Sequence, residues 1–111
     1  MDKPSVSTLV ENLEAELNNG GFEQFFFNAA GDLTAETIEA LVAIGATHTA
    51  SVVRRAAARF PGGMPPSDRN ARQALLETIS PDSDAFEEDD AAFLEYRDKL
   101  SELAANYQSG A

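Results

Sequence analysis

Between Asn18 and Asp32 the chain reads NNGGFEQFFFNAAGD, and four of its seven phenylalanines fall within the six residues 22–27. A double glycine precedes this aromatic block and a Gly-Asp pair follows it. Phe22, Phe25 and Phe26 share a face at helical spacing, while Phe27 points elsewhere. A short helix here is therefore aromatic on more than one side, and it must be buried broadly or meet an interface. The rest of the chain has to supply elements that cover it.

Those elements read as helices. Val6, Leu9, Val10, Leu13 and Leu17 recur at three- and four-residue intervals after Pro4, which predicts a first helix over Ser5 to Leu17. Asn18, Asn19, Gly20 and Gly21 are expected to end it, because Asn and Gly accept left-handed backbone. Leu33-Thr34 reads as staple and N-cap of a helix carrying Ile38, Leu41, Val42 and Ile44, closed by Gly45. Val52, Val53, Ala56, Ala57 and Phe60 mark a further helix over Thr47 to Phe60, with Arg54, Arg55 and Arg59 on its exposed side, where cations complement the helix dipole.

FPGGMPPSD, residues 60–68, is a breaker with three prolines and two glycines. Ser67 then reads as the N-cap of a helix whose apolar positions are Ala71, Leu75, Leu76 and Ile79, stopped by Ser80-Pro81. Phe86, Phe93, Tyr96, Leu100, Leu103 and Tyr107 predict one or two closing helices, bent near Arg97. No useful run of alternating polarity exists. The expectation is an all-α fold, a single compact domain over residues 1–111 with about six short helices around an aromatic core and frayed ends.

Nineteen acids against eight bases leave a net charge of −11, unevenly spread. Residues 1–45 carry −7, residues 46–81 carry +3 and residues 82–111 carry −7. Such a balance disfavours direct binding to nucleic acid or anionic lipid, which needs clustered Lys and Arg, and favours basic partners or simple solubility. Cysteine is absent, which removes disulfides and thiolate metal sites and favours the cytoplasm. The start, MDKPSVSTL, lacks an apolar signal core, and the longest uncharged run, Ala40 to Val53, is too short and polar to span a bilayer.

Catalytic chemistry is not recognisable. His48 stands alone, without a Cys or a second His for a metal site or a nucleophile–base pair. Asp82-Ser83-Asp84 begins like a calcium loop, but Phe86, Glu87 and Phe93 occupy the fifth, sixth and twelfth positions, so the match fails. Neither enzyme activity, cofactor nor metal is expected. What remains is the acidic run Asp82, Asp84, Glu87, Glu88, Asp89, Asp90, Glu95, Asp98 and Glu102. If wholly helical, residues 82–102 span about 31 Å, roughly one carboxylate per 3.5 Å. One DNA strand carries one charge per about 3.4 Å. A solvated face is the competing reading of the same acids.

NNGGFEQFFFN followed by GD, then IGA at Ile44 to Ala46, FPGG at Phe60 to Gly63 and the cluster Pro66, Asp68, Arg69, Arg72 resemble the bacterial DNA-mimic-protein-like family, otherwise of unknown function. The likeness covers roughly Leu9 to Tyr107. It implies an all-α fold and, by analogy with the family's founding member, surface carboxylates that imitate DNA phosphates and occupy a basic DNA-binding protein such as a transcription regulator. The motif residues Asn18, Asn19, Gly20, Gly21, Phe22, Gln24, Phe25, Phe26, Asn28, Gly31 and Asp32 read as architectural. The alternative is a small-ligand or peptide-binding domain, or an unrecognised enzyme, with a pocket between the aromatic cluster and FPGGMPP lined by Asn18, Asn19, Gln24 and Asn28. A homo-oligomer built on exposed phenylalanines is a third possibility.

Overall fold

A computed structural model describes residues 4–108; the expected fraying of the ends falls mainly on residues 1–3 and 109–111, outside the described part. The architecture is all-α. Its order is α1 (Val6–Phe27), a 3-10 segment (Ala29–Leu33), α2 (Thr34–Ala43), α3 (Thr47–Ala57), a 3-10 turn (Pro61–Gly63), α4 (Arg69–Ile79), α5 (Glu87–Leu94) and α6 (Leu100–Gln108). No strand occurs among the described residues. The Cα radius of gyration is 13.4 Å, the size expected for a compact chain of this length, about 13 Å.

The central element is α1, which is two arms joined at one non-helical residue, Gly21, with φ 71° and ψ −167°. The expected stop at Asn18 therefore moves three residues on. Asn18 and Asn19 stay helical because their amides find partners there: Asn18 donates to the Glu14 carbonyl at 2.8 Å and Asn19 to Gln24 Oε1 at 3.0 Å. Only the second glycine takes the left-handed backbone that side chains resist.

The second arm carries the aromatic block into the middle of the molecule. Phe26 meets Phe22, Phe60 and Phe86 at ring-centroid distances of 5.8, 5.0 and 5.3 Å. Phe93 joins at 6.2 Å from Phe22 and brings Tyr96 with it at 5.4 Å. Phe22, Phe25 and Phe26 are fully buried, and Leu13, Leu41, Val53 and Ala56 close around them. Phe27 is the exception its register foretold, 53% exposed.

Five boundary or facing expectations need correction. Thr34 does not cap α2: the 3-10 segment delivers it already helical, at φ −57° and ψ −47°, and its hydroxyl donates back to the Gly31 carbonyl. Val42 lies on the flank, exposed, because Ile38, Leu41 and Ile44 fill the inward stripe. The N-cap of α4 is Asp68, not Ser67, since its carboxylate adjoins the first helical residue and accepts from the Ala71 N–H at 2.8 Å. Ala71 faces outward, and Arg72 takes the inward place. Tyr107 is exposed at the end of α6.

The C-terminal third is no continuous 31 Å rod. Helices α5 and α6 are eight and nine residues long, and Tyr96, at φ 48°, breaks the path between them. The tyrosine is drawn onto α1, where its hydroxyl accepts from Asn18 Nδ2 at 2.7 Å and donates to Glu14 Oε1 at 3.1 Å.

Candidate partner-binding surface

The nine acids from Asp82 to Glu102 divide into those that hold the fold together and those that face outward. Asp89 belongs to the first group, with a side chain 0% exposed. Its two oxygens accept from Arg55 Nε and Arg59 Nε, each at 2.6 Å. The arginines read as exposed complements of a helix dipole thus have an anion of their own, supplied by α5. A carboxylate this buried needs such partners, because an unpaired charge in the interior is costly.

Asp90 and Asp98 act on helix starts elsewhere in the chain. The break at Gly21 leaves the Phe22 N–H without a helical acceptor, and Asp90 Oδ1 accepts it at 2.8 Å. Helix α3 has no side-chain cap of its own at Ala46. Asp98 Oδ2 supplies one, accepting from the Thr49 N–H at 2.7 Å and the Thr49 hydroxyl at 2.9 Å. Both acids are half-buried. Burial pushes the Asp90 carboxyl above the usual range, opposed by its bond to Phe22 and reinforced by Asp89 and Glu87.

Asp82, Asp84, Glu87, Glu88, Glu95 and Glu102 are exposed. The first two lie on the turn after α4, the next two in the first turn of α5, Glu95 just beyond that helix and Glu102 on α6. Four acids opening α5 suit the positive end of its dipole. Among the described residues only Glu102 of these six has an ion-pair partner, Lys99 at 4.0 Å. The other five form no ion pair, although Glu88 lies close enough to Arg59 to act on its charge.

The motif residues build the frame behind this surface. Arg72, fully buried, donates to the carbonyls of Phe26 (2.6 Å), Asn28 (2.9 Å), Pro66 (3.0 Å) and Ser67 (3.2 Å) and to Asp32 Oδ1 (2.7 Å). Asp32 also takes Arg69 Nη2 at 2.8 Å, and these bonds, Arg69 first, hold its carboxyl below the usual range. Gly31 is required by this packing: a Cβ there would sit 2.6 Å from the Phe25 carbonyl and 2.9 Å from Arg72 Nε. Sequence reasoning recorded Pro66, Asp68, Arg69 and Arg72 only as a cluster. The partner they needed, Asp32, lay at the end of the aromatic stretch.

The amides expected to line a pocket are mostly spent inside the fold. Asn18 serves Tyr96, Asn19 serves Gln24, and Asn28 Nδ2 donates to Glu16 Oε2 at 3.0 Å. A concavity of about 960 Å³, open to solvent, lies between α1 and α4, away from FPGGMPP, and of these four amides only Gln24 borders it. His48 Nε2 is buried without a hydrogen-bond partner. Among the described residues no cluster of His, Cys, Asp or Glu could hold a metal ion, and no helix is long and apolar enough to cross a membrane.

A family model described as DMP19-like protein matches residues 4–110. No curated protein and no solved structure matches the chain.

Proposed function

We propose, from the premise that the chain belongs to the DMP19-like protein family, that it is a non-enzymatic cytoplasmic binding protein whose exposed carboxylates imitate DNA phosphates and occupy the basic surface of a DNA-binding protein. The resemblance first read from NNGGFEQFFFN, FPGG and the arginine cluster is to this family, a family of DNA mimics. The observation that carries the reading is the set Asp82, Asp84, Glu87, Glu88 and Glu95, exposed and without ion pairs, running from the turn before α5 to the residue just after it. A basic DNA-binding surface is built to neutralise such a row, and its binding should weaken steeply with salt. Asp89, Asp90 and Asp98, anchored internally, contribute charge to the field but not contact.

The test is capture of a basic DNA-binding protein at low ionic strength followed by competition with duplex DNA. The expected result is displacement by DNA and release on raising salt. Changing Glu87 and Glu88 together to Gln should weaken capture while leaving the circular dichroism spectrum of the folded protein in place. Retention of the partner against excess duplex, or capture indifferent to Glu87→Gln and Glu88→Gln, would sink the proposal.

A further inference from the structure

The open groove has a chemistry the acidic row does not use. One wall is Glu23, Gln24 and Phe27 on the second arm of α1, with Gly20 just before the joint, and the other a single face of α4, Asn70, Gln73, Ala74 and Glu77. The α4 set falls at i, i+3, i+4 and i+7 of an unbroken helix, so that wall runs about 10 Å along its axis. Leu76 forms buried floor and Pro81 closes one end. Two bonds stitch the walls into fixed register: Gln73 Nε2 donates to the Phe27 carbonyl at 2.7 Å, and Ser80 Oγ to Glu23 Oε2 at 2.8 Å. Ser80 also accepts the Ala85 N–H at 3.2 Å, which holds the closing turn in place.

We propose that this groove docks a short cationic peptide segment of a partner protein, an Arg or Lys beside one large apolar side chain. Charge complementarity selects that occupant. The ionisable residues lining the groove are Glu23 and Glu77, and no Lys or Arg lines it. Asp84 and Asp90 lie close enough to Glu23 to add to its negative field. Phe27, Ala74, Leu76 and Pro81 give apolar area beside these carboxylates, and a half-exposed phenylalanine among acids is what an aliphatic side chain with a flanking cation would cover. The length of the α4 wall matches about three extended residues. The site needs no phosphate imitation, so it stands or falls separately from the acidic row.

Burial raises the Glu23 carboxyl, opposed by its bond to Ser80 and reinforced by Asp90 and Asp84. A docked cation favours the ionised form, so affinity for the peptide should rise with pH through the carboxylate range and then level off.

The probe is an end-capped Arg-Leu-Arg peptide titrated into isotope-labelled protein, with Arg-Gly-Arg and Glu-Leu-Glu as controls. Saturable amide shifts are expected at Gly20, Gln24, Gln73 and Ala74, weaker with Arg-Gly-Arg and absent with Glu-Leu-Glu. Phe27→Ala and Glu77→Gln, both at exposed side chains, should each lower affinity about tenfold, with an unchanged circular dichroism spectrum and melting temperature. Shifts confined to Glu87, Glu88 and Glu95 would assign the peptide to the acidic row and overturn the groove. So would equal affinity for Arg-Leu-Arg and Arg-Gly-Arg, an absence of saturation, or a drop in solution mass on Phe27→Ala, which would make a second copy the occupant.

Discussion

Arg72 is the residue on which the largest number of separate segments converge. Its guanidinium reaches four backbone carbonyls and one carboxylate, so it joins the end of α1, the 3-10 segment and the turn before α4. Lysine cannot replace it, since one ammonium lacks the planar fork that spans these acceptors. Arg72→Ala should cost about 3 to 5 kcal/mol, because it strands several buried carbonyls and leaves Asp32 with Arg69 alone, and Arg72→Lys should recover little of that in urea denaturation. If Arg72→Lys restores the wild-type midpoint, the geometry is not what matters. Gly31→Ala should be worse than Gly20→Ala for a related reason: the added methyl meets backbone and Arg72 at Gly31, but the movable Gln24 side chain at Gly20. These roles were legible in the sequence only as a cluster: Arg72 stands three, four and seven residues before Leu75, Leu76 and Ile79, on the inward stripe, but a charge there gives no sign of which distant carbonyls it meets.

At the scale of elements, helical periodicity exposed six helices and the breaks at Gly45, 60–68 and Ser80-Pro81, since those depend on neighbours within a turn or two. The joints depend on partners 30 to 68 residues away, and periodicity is blind to them. A run of acids reads as uniform surface, yet Asp90 caps the second arm of α1, Asp98 caps α3 and Asp89 clasps the far end of α3. The same blindness hid which glycine of the pair breaks α1. Asp98→Ala should cost about 1 kcal/mol, the ordinary worth of an N-cap, whereas Asp89→Ala should cost about 1 to 3 kcal/mol, since it removes two charged hydrogen bonds but Arg55 and Arg59 can turn to solvent. A double-mutant cycle of Asp89→Asn with Arg59→Gln should show coupling, and independent additive losses would refute the clasp. Phe25→Ala and Phe26→Ala, at two fully buried rings, should each cost about 3 to 5 kcal/mol, and a loss under about 1 kcal/mol at both would contradict their burial.

The whole molecule balances a net charge of −11 against a frame in which some carboxylates want a proton and others do not. Glu23 and Asp90 are raised, chiefly by burial. A raised carboxyl contributes stability that is complete below its ordinary value, 4.5 for Glu23 and 3.8 for Asp90, and is lost as pH rises through the folded-state value. Asp32 runs the other way: held low chiefly by Arg69, its contribution is present above 3.8 and is lost as pH falls through the depressed value. Mutual repulsion among surface acids also relaxes as they protonate. Melting temperature should therefore increase as pH falls from neutrality toward 4.5 and turn down below 3.8, where Asp32 gives up its arginines. Asp32→Asn should blunt the acid limb, and added salt should flatten the neutral side by screening the exposed row. A profile that declines steadily from pH 7 downward would mean that ionised Glu23 and Asp90 are stabilising where they sit. The joint at Gly21 and the charge on the groove wall would then both have been misread, since Asp90 meets the Phe22 amide at the one and Glu23 lines the other.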